Sequence, residues 1–513
     1  MPRAVQSPPQ IQSAFIPIGN WKPDVPTPLN DGMPDSLNLV PRANGFYGPE
    51  RALETVGSTQ STTPFGAALK VHGDLHSRPP VPGGDPQYYV GTFAVASGAS
   101  RIVQREEQGA WTDVSRVGGY DCISSSPWRF ANFGQKVLAT NRRNPIQIAD
   151  GGDGDIFRDV SADIRAADIA TIRGFAVGVN IIDNTYGEGV QPFRVWWSAI
   201  ADAETWPDPL SDAALNVQSG FQDLLGGGRL RRIIPGIGGA DAIIVSDRKM
   251  WRMRFTGPPT IFAFDEVETD QGSTMDGSIA PFNEGFFYFG HSKFYFFDGA
   301  NSTPIGVGET DQFFLDDIDF SSTFGGQNAV SAAIDSERKN LVVSYRSRAA
   351  TTDANDRILR YSWITNAWSR SAIAADAVGH VDSFASRTDS PRMVMTGQTF
   401  QIETPTGATL EAIIEGREIT HDTGAYYQVH GVLPYVDAPS IFGSIRFRDS
   451  QANALVDSGE FELQLDGFFR FLPNVITGRF YRCRMRIPAG TEWTAITGLL
   501  YEYLEHSTGT RRT

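Results

Sequence analysis

Two nearly identical five-residue phrases, Trp111-Thr112-Asp113-Val114-Ser115 and Phe157-Arg158-Asp159-Val160-Ser161, stand 46 positions apart in this chain. Each closes a stretch of short apolar strands and turns. A unit of roughly forty to seventy residues, built from strands and ending on an aromatic, is the sequence mark of a β-propeller. A chain of such units points to binding or assembly before it points to chemistry.

The unit is an apolar run, a small polar turn and a second apolar run. Its clearest copy is Phe286 to Phe289, turning at Gly290-His291-Ser292-Lys293 into Phe294 to Phe297. Phe130 to Phe133 turns into Val137 to Ala139, Ala242 to Val245 turns at Ser246 to Lys249, and Met393 to Met395 turns at Thr396 to Gln398. Longer loops join Phe175–Val177 to Phe193–Trp197 and Leu341–Val343 to Ile358–Tyr361, and a seventh copy pairs Tyr88–Val90 with Arg101–Val103. These runs are continuously apolar, so both strand faces must be buried, as the inner strands of a blade are between its neighbours. Gly, Asp, Ser and Lys in the turns are hairpin residues. The expected fold is all-β: a propeller of six to seven blades over residues 61–404, with Trp111, Phe157, Trp206 and Trp368 as aromatic wedges between blades. Stacked β-sandwiches with the same hairpins are the alternative.

Two further segments flank the repeats. Residues 1–60 carry Pro8, Pro9, Pro26, Pro28, Pro34, Pro41 and Pro49, which exclude long helices and central strands. Ile16, Ile18, Trp21, Leu37, Leu39, Phe46 and Tyr47 make this segment too apolar for a free tail. The expectation is an extended N-terminal arm lying across the body or a neighbouring subunit. Pro79 to Pro86 is expected to form a loop at the propeller's entrance. After residue 405, runs such as Ala412–Ile414, Tyr426–Val429, Ser444–Phe447 and Phe480–Ile487 alternate better, and residues 405–513 read as a C-terminal β-sandwich. In the last of these runs Arg482, Arg484 and Arg486 share one face and Tyr481, Cys483, Met485 and Ile487 the other. The arginine face suits an acidic partner surface or solvent.

The formal net charge is −15, which repels nucleic acid and speaks against a conventional DNA or RNA reader. Two distant cysteines, Cys122 and Cys483, exclude a disulfide scaffold and a cysteine zinc site and read as small buried apolar residues. No run approaches the roughly 20 apolar residues of a membrane span, and the N-terminus lacks the apolar stretch of a secretory signal, so synthesis and first folding in a cytoplasm are expected. His72 and His76 have the spacing of helical metal ligands, but Gly73 and the neighbouring prolines speak against a helix. Asp150 to Asp155 resembles a calcium loop in composition, lacks its bidentate Glu and reads as a hairpin tip. Asp316, Asp317 and Asp319, or Glu266 and Glu268, could supply a glycosidase's carboxylate pair. HExxH, P-loop and GxSxG motifs are absent. No catalytic residue, metal or cofactor is assigned, and the chain reads as a non-enzyme.

With arm, repeats and terminal sandwich in place, the chain resembles the nozzle proteins of short-tailed bacteriophages, also called tail tubular protein B or packaged-DNA stabilisation proteins. The resemblance rests on Asp35 to Pro41 followed by Gly45 to Pro49, on Phe193 to Ala199 leading to Thr205-Trp206, and on Arg482 to Gly490 with Trp493. It implies a structural virion protein at the phage tail, made in the host cytoplasm. Six copies would form a homohexameric ring that retains packaged DNA and guides its ejection. Its partners would be adaptor and portal proteins, tail fibre or spike proteins, and viral DNA passing without sequence-specific binding; no membrane is involved. Six copies would set about 90 formal negative charges around the DNA, favouring sliding over sticking. Ring contacts are head-to-tail and need complementary faces. Arg482, Arg484, Arg486, Trp21, Phe46 and Tyr47 are then the candidate subunit-interface residues, and Asp316, Asp317 and Asp319 the candidate lumen-facing acids. The alternative function is a carbohydrate-binding or glycoside-cleaving propeller, which requires an axial pocket of aromatics and carboxylates.

Overall fold

The computed structural model describes residues 11–55, 69–78, 86–94, 97–106, 109–321, 330–381, 392–396, 402–420, 426–464, 467–470 and 476–506. Seven antiparallel sheets follow one another along residues 69–404. The second blade has strands Arg129–Phe133, Lys136–Thr140, Gln147–Ala149 and Arg158–Asp159, paired in chain order. The fourth, fifth and sixth repeat this meander, and the first and third elaborate it with an extra short strand or two. In the seventh the outer strand is Glu54–Thr55, which pairs with Ile402–Thr404. The ring is thus closed by a strand from the front of the chain. Each of the seven hairpins forms a strand pair; Phe286–Phe289 against Phe294–Phe297, for example, aligns Phe286 with Phe297.

Apolar layers fill the spaces between successive blades, and the wedge residues lie in them. Trp111 packs with Leu75, Val90, Ala377 and Ile402, between the first and seventh blades. Phe157 lies with Tyr89, Trp128 and Val137 between the first and second, and Trp206 with Leu138, Ile169 and Trp196 between the second and third. Trp368 joins Phe294 and Tyr361 between the fifth and sixth. The two phrases that opened the sequence touch: the Phe157 N–H donates to the Val114 carbonyl at 2.8 Å. Both contain the outermost strand of their blade, Thr112–Asp113 and Arg158–Asp159. The repeat therefore marks where one blade ends and seals against the next.

The remaining two sheets form the sandwich. One pairs Tyr426–Val436 with Ile496–His506, and the other pairs Phe442–Arg448 and Ala412–Glu415 with Phe480–Ile487. The N-terminal segment completes both. Gln12–Pro17, Leu39–Pro41 and Tyr47–Pro49 belong to the first sheet, and Asp35–Leu37 pairs with Ala412–Glu415 in the second. The segment expected as an arm thus lies across this chain's own body, as four strands of the sandwich and one of the propeller. Its strands tolerate the prolines because each has only two to six residues, with Pro17, Pro41 and Pro49 as the last residues of theirs. One continuous core runs from Trp21, Leu39 and Tyr47 through Phe294 and Trp368 to Tyr427 and Tyr481, so sandwich and propeller share apolar contacts. No helix among the described residues is long and apolar enough to cross a membrane.

Candidate functional site

Charged residues stand where innermost strands begin, and the ring brings them together on its axis. Arg129 opens the second blade, Asp168 the third and Asp376 precedes the seventh, while Arg232 lies in the fourth blade's first strand and Asp276 in the short helix before the fifth. Lys70 and Asp74 come from the first blade. Arg129, its side chain 2% exposed, donates to Asp276 at 2.8 Å and to Asp74. Arg232 meets Asp168 at 2.9 Å and Asp74 at 3.4 Å. Lys70 meets Asp376 at 3.4 Å. Burial opposes the Arg129 charge, but Asp74, Asp276 and Asp168 together hold its pKa above the ordinary value. Burial would raise Asp276; Arg129, Arg231 and Arg232 hold it below the usual carboxylate range instead. Gly73 bridges in parallel to Trp128 with φ +118°, and a Cβ there would strike the Trp128 backbone. That contact brings Asp74 beside Arg129.

The axial cavity lined by Lys70, Asp74, Arg129, Asp276 and Asp376, with His72, Pro127 and Ser331, holds about 30 Å³. That is room for one or two water molecules. A sugar ring does not fit, and the lining contains neither Trp, Tyr nor Phe. His72 and His76 are held apart by separate partners: His72 Nε2 lies 3.2 Å from the Ile123 carbonyl, and His76 Nε2 lies 2.9 Å from Asn132 Oδ1. Burial drives the His72 pKa down to about 4, helped by Lys70 and Arg129. No group of three or more potential metal-ligating side chains occurs among the described residues. Asp150 to Asp155 form a turn in which Asp155 Oδ2 accepts from the Gly152 N–H at 2.6 Å, Asp150 pairs with Arg158, and the Arg78 guanidinium donates to the Gly151 carbonyl.

The arginine face of Phe480–Ile487 is neutralised within the chain. Arg482 is buried and donates to Glu415 at 3.1 Å, with Glu418 at 3.5 Å. Arg486 meets Glu460 at 2.7 Å and Glu411 at 3.3 Å. Arg484 is half-buried and lies opposite Glu415 in register. The residues expected to seek an acidic partner find acids on adjacent strands, because Ala412–Glu415 pairs directly with this strand. Trp21 and Tyr47, 1% and 2% exposed, are interior residues and so are corrected as interface candidates; of the three aromatics, Phe46 alone is exposed. Tyr481, Cys483, Met485 and Ile487 fill the sandwich core.

Two of the three acids placed in the lumen are also engaged internally. Asp317 accepts from the Tyr345 hydroxyl at 2.7 Å, and buried Asp319 pairs with Arg346. Asp316, on the helix Asp311–Asp317, is exposed and accepts from Gln312. Glu266 pairs with Lys249, and Glu268 accepts from the Ser302 N–H at 2.6 Å. The entrance loop at Pro79 to Pro86 falls outside the described residues, except for Pro86.

The junction between propeller and sandwich is built from two of the three phrases that carried the resemblance; the third, Phe193–Ala199 with Trp206, lies in the third blade. Asn38, at φ +57°, donates its N–H to the Arg370 carbonyl at 2.9 Å and its amide to the Glu411 carbonyl at 2.7 Å, and accepts from the Ala372 N–H at 2.8 Å. The Tyr47 hydroxyl donates to the Trp368 carbonyl at 2.8 Å and accepts from the Trp21 N–H at 3.1 Å. Glu50 enters the sixth blade and accepts from Arg360 at 2.7 Å, both side chains being at most 2% exposed. Asp35 meets Arg370 at 2.6 Å. From the far end of the chain, the Gly490 N–H donates to the Thr409 carbonyl at 2.9 Å, and Trp493 is buried in the same core. Inspection of the sequence missed this junction and the axial ions. Their shared signal is a charged or amide residue set at the edge of an apolar run, as in Arg129-Phe130, Asp168-Ile169 and Asp376-Ala377.

No protein-family model matches the chain, and no curated protein is similar enough to count as a match. Solved structures similar to it include WD40 domains, at low identity. The Pan2 WD40 domain of Neurospora crassa is 8% identical over 70% of this chain and 97% of its own, with a TM-score of 0.37. The WD40 domain of Toxoplasma gondii coronin is 10% identical over 72% and 87%, also at 0.37. A quinonprotein alcohol dehydrogenase-like protein from Bacteroides thetaiotaomicron is 10% identical over 67% and 69%, at 0.33. The propeller is established by the strand pairing of this chain.

Proposed function

We propose that this protein is a structural subunit of a phage-tail nozzle, whose copies form a ring that retains packaged DNA and guides its ejection. The observation that supports this most is the junction: Asp35–Pro41, Gly45–Pro49 and Arg482–Gly490, separated by over 400 residues, lie in the two adjoining sheets that fasten sandwich to propeller. Those phrases serve architecture and not chemistry. The axis gives the same direction. Ion pairs cross it and leave a cavity of about 30 Å³ there, so a conduit for DNA would have to run between copies and not through one. Adaptor, portal and fibre proteins are the expected partners, and the protein acts without catalysis or cofactor.

Negative-stain microscopy of the purified full-length chain, alone and with portal–adaptor complexes, tests the reading. Six-fold rings support it. A strictly monomeric particle that ignores portal–adaptor complexes and gains thermal stability from glycans overturns it in favour of a carbohydrate-binding propeller.

A further inference from the structure

Beside the axis, and sharing Asp276 with it, lies a second cavity of about 260 Å³ lined by Asn141, Arg142, Arg143, Arg165, Arg229 and Arg231 among others. Five arginines around one cavity are unexpected on a chain of net charge −15. Three of them have acids of their own: Arg143 meets Asp121 at 3.0 Å, Arg165 meets Asp163 at 2.9 Å, and Arg231 meets Asp247 at 2.6 Å. Asp276 is engaged by Arg129. Arg142 and Arg229 have no carboxylate within ion-pair distance among the described residues. Arg229 is exposed; Arg142 is half-buried, and its side-chain hydrogen bond among the described residues runs from Nε to Asn180 Oδ1 at 3.0 Å.

A second observation points the same way. Asn141 is 1% exposed, and its Oδ1 is fixed as acceptor by the N–H groups of Arg143 and Asn144, both at 3.1 Å. Its amide nitrogen is buried with no hydrogen-bond partner. An unpaired buried donor is destabilising, and half-buried charge is unfavourable without a counter-charge. Burial, with Arg229 and Arg231 nearby, pushes the Arg142 guanidinium below its ordinary pKa. Every unpaired group here is a donor or a cation, so the missing component is an anion rich in acceptors. Guanidinium groups present forked donors that match phosphate oxygens, and the cavity exceeds the size of a single phosphate.

We propose that this cavity binds a phosphate-bearing anion, held by Arg142 and Arg229. The site needs no ring and stands or falls apart from the nozzle reading. Phosphate could be presented by a free pyrophosphate-like ligand or by a DNA backbone. Isothermal titration of the full-length protein with pyrophosphate, and anisotropy of a labelled 20-base-pair duplex with pyrophosphate as competitor, separate the two. The double variant Arg142→Gln/Arg229→Gln should weaken pyrophosphate at least tenfold, while Arg254→Gln, a surface arginine paired with Asp265, should change nothing. Pyrophosphate binding that the duplex cannot displace identifies a free ligand. A duplex displaced by pyrophosphate, and lost in the double variant, identifies backbone phosphate. Absence of binding in both arms overturns the proposal, as does equal weakening by Arg254→Gln. Circular dichroism of the variants keeps misfolding from imitating lost binding.

Discussion

The ion-paired axis and the arginine cavity beside it are assembled from the same residue types, at the ends of neighbouring strands and in the loops that follow or precede them, yet their charges are balanced differently. On the axis Lys70, Arg129 and Arg232 face Asp74, Asp168, Asp276 and Asp376. In the cavity Arg142 and Arg229 form no ion pair among the described residues, and Asp276, the acid in the lining, is engaged by Arg129. Balanced ions at the centre of a ring tie each blade to blades it does not pair with, so they act as fasteners. Unbalanced ions one strand away contribute nothing to closure and leave a site that an external anion completes. The contrast separates charge used for structure from charge available for binding, and three measurements can break it.

The largest effect is expected at Arg129. Replacing it with Met leaves Asp74 and Asp276, whose side chains are partly exposed, without their principal cation. Removing one partner of a fully buried ion pair costs about 3–5 kcal/mol, and water at the two carboxylates screens this to about 3 kcal/mol. Arg129→Met should lower stability by that amount in urea unfolding at neutral pH. A midpoint unchanged from wild type would mean that the axis is not what fastens the blades.

The apolar framework was legible because it is local. Phe286–Phe289, Ala242–Val245 and Leu341–Val343 announce inner strands within a few residues, and the Trp111 and Phe157 phrases mark blade ends by themselves. The axial ions were not legible, since each comes from a different blade and only ring closure makes Arg129 a neighbour of Asp276, 147 residues on. The strand partners of the arm were hidden for the same reason: nothing within Asp35–Leu37 or Glu54–Thr55 names the strands at 412–415 and 402–404 that they join. Arg482 and Arg486 were read correctly as one face of a strand, but the acids opposite them are set by sheet order, which alternation does not specify.

His72 tests the axis from another side, through pH. Its folded pKa is about 4, below the model-peptide value of 6.5, with burial as the main cause and Lys70 and Arg129 adding to it. The unfolded chain therefore binds this proton first. Stability contributed by neutral His72 is complete above pH 6.5 and falls as pH drops toward 4, by about 2 kcal/mol at pH 5. His76, also lowered by burial, acts in the same direction. Comparing unfolding free energies at pH 7.5 and pH 5, His72→Gln should recover about 2 kcal/mol of the wild-type loss. If the slope is the same in both proteins, His72 is reached by water and the axis is more open than its ion pairs imply.

The smallest effect concerns the backbone that presents Arg142. It sits at φ +60°, with Asn180, its hydrogen-bond partner, at φ +57°. A left-handed conformation costs a side-chain-bearing residue roughly 1–2 kcal/mol and glycine almost nothing. Arg142→Gly and Arg142→Ala both remove the guanidinium, its bond to Asn180 and its repulsion with Arg229 and Arg231, so these contributions cancel between the two variants. What remains is the backbone: the glycine variant should be more stable than the alanine variant by about 1 kcal/mol in urea unfolding, and both should lose pyrophosphate equally. Equal stability would mean that the turn relaxes once the arginine is gone, and that the strained geometry is held by the guanidinium contact and not by the strands on either side. The chain holds Arg142 in a conformation that glycine would satisfy at lower cost, which fits a residue kept for its side chain.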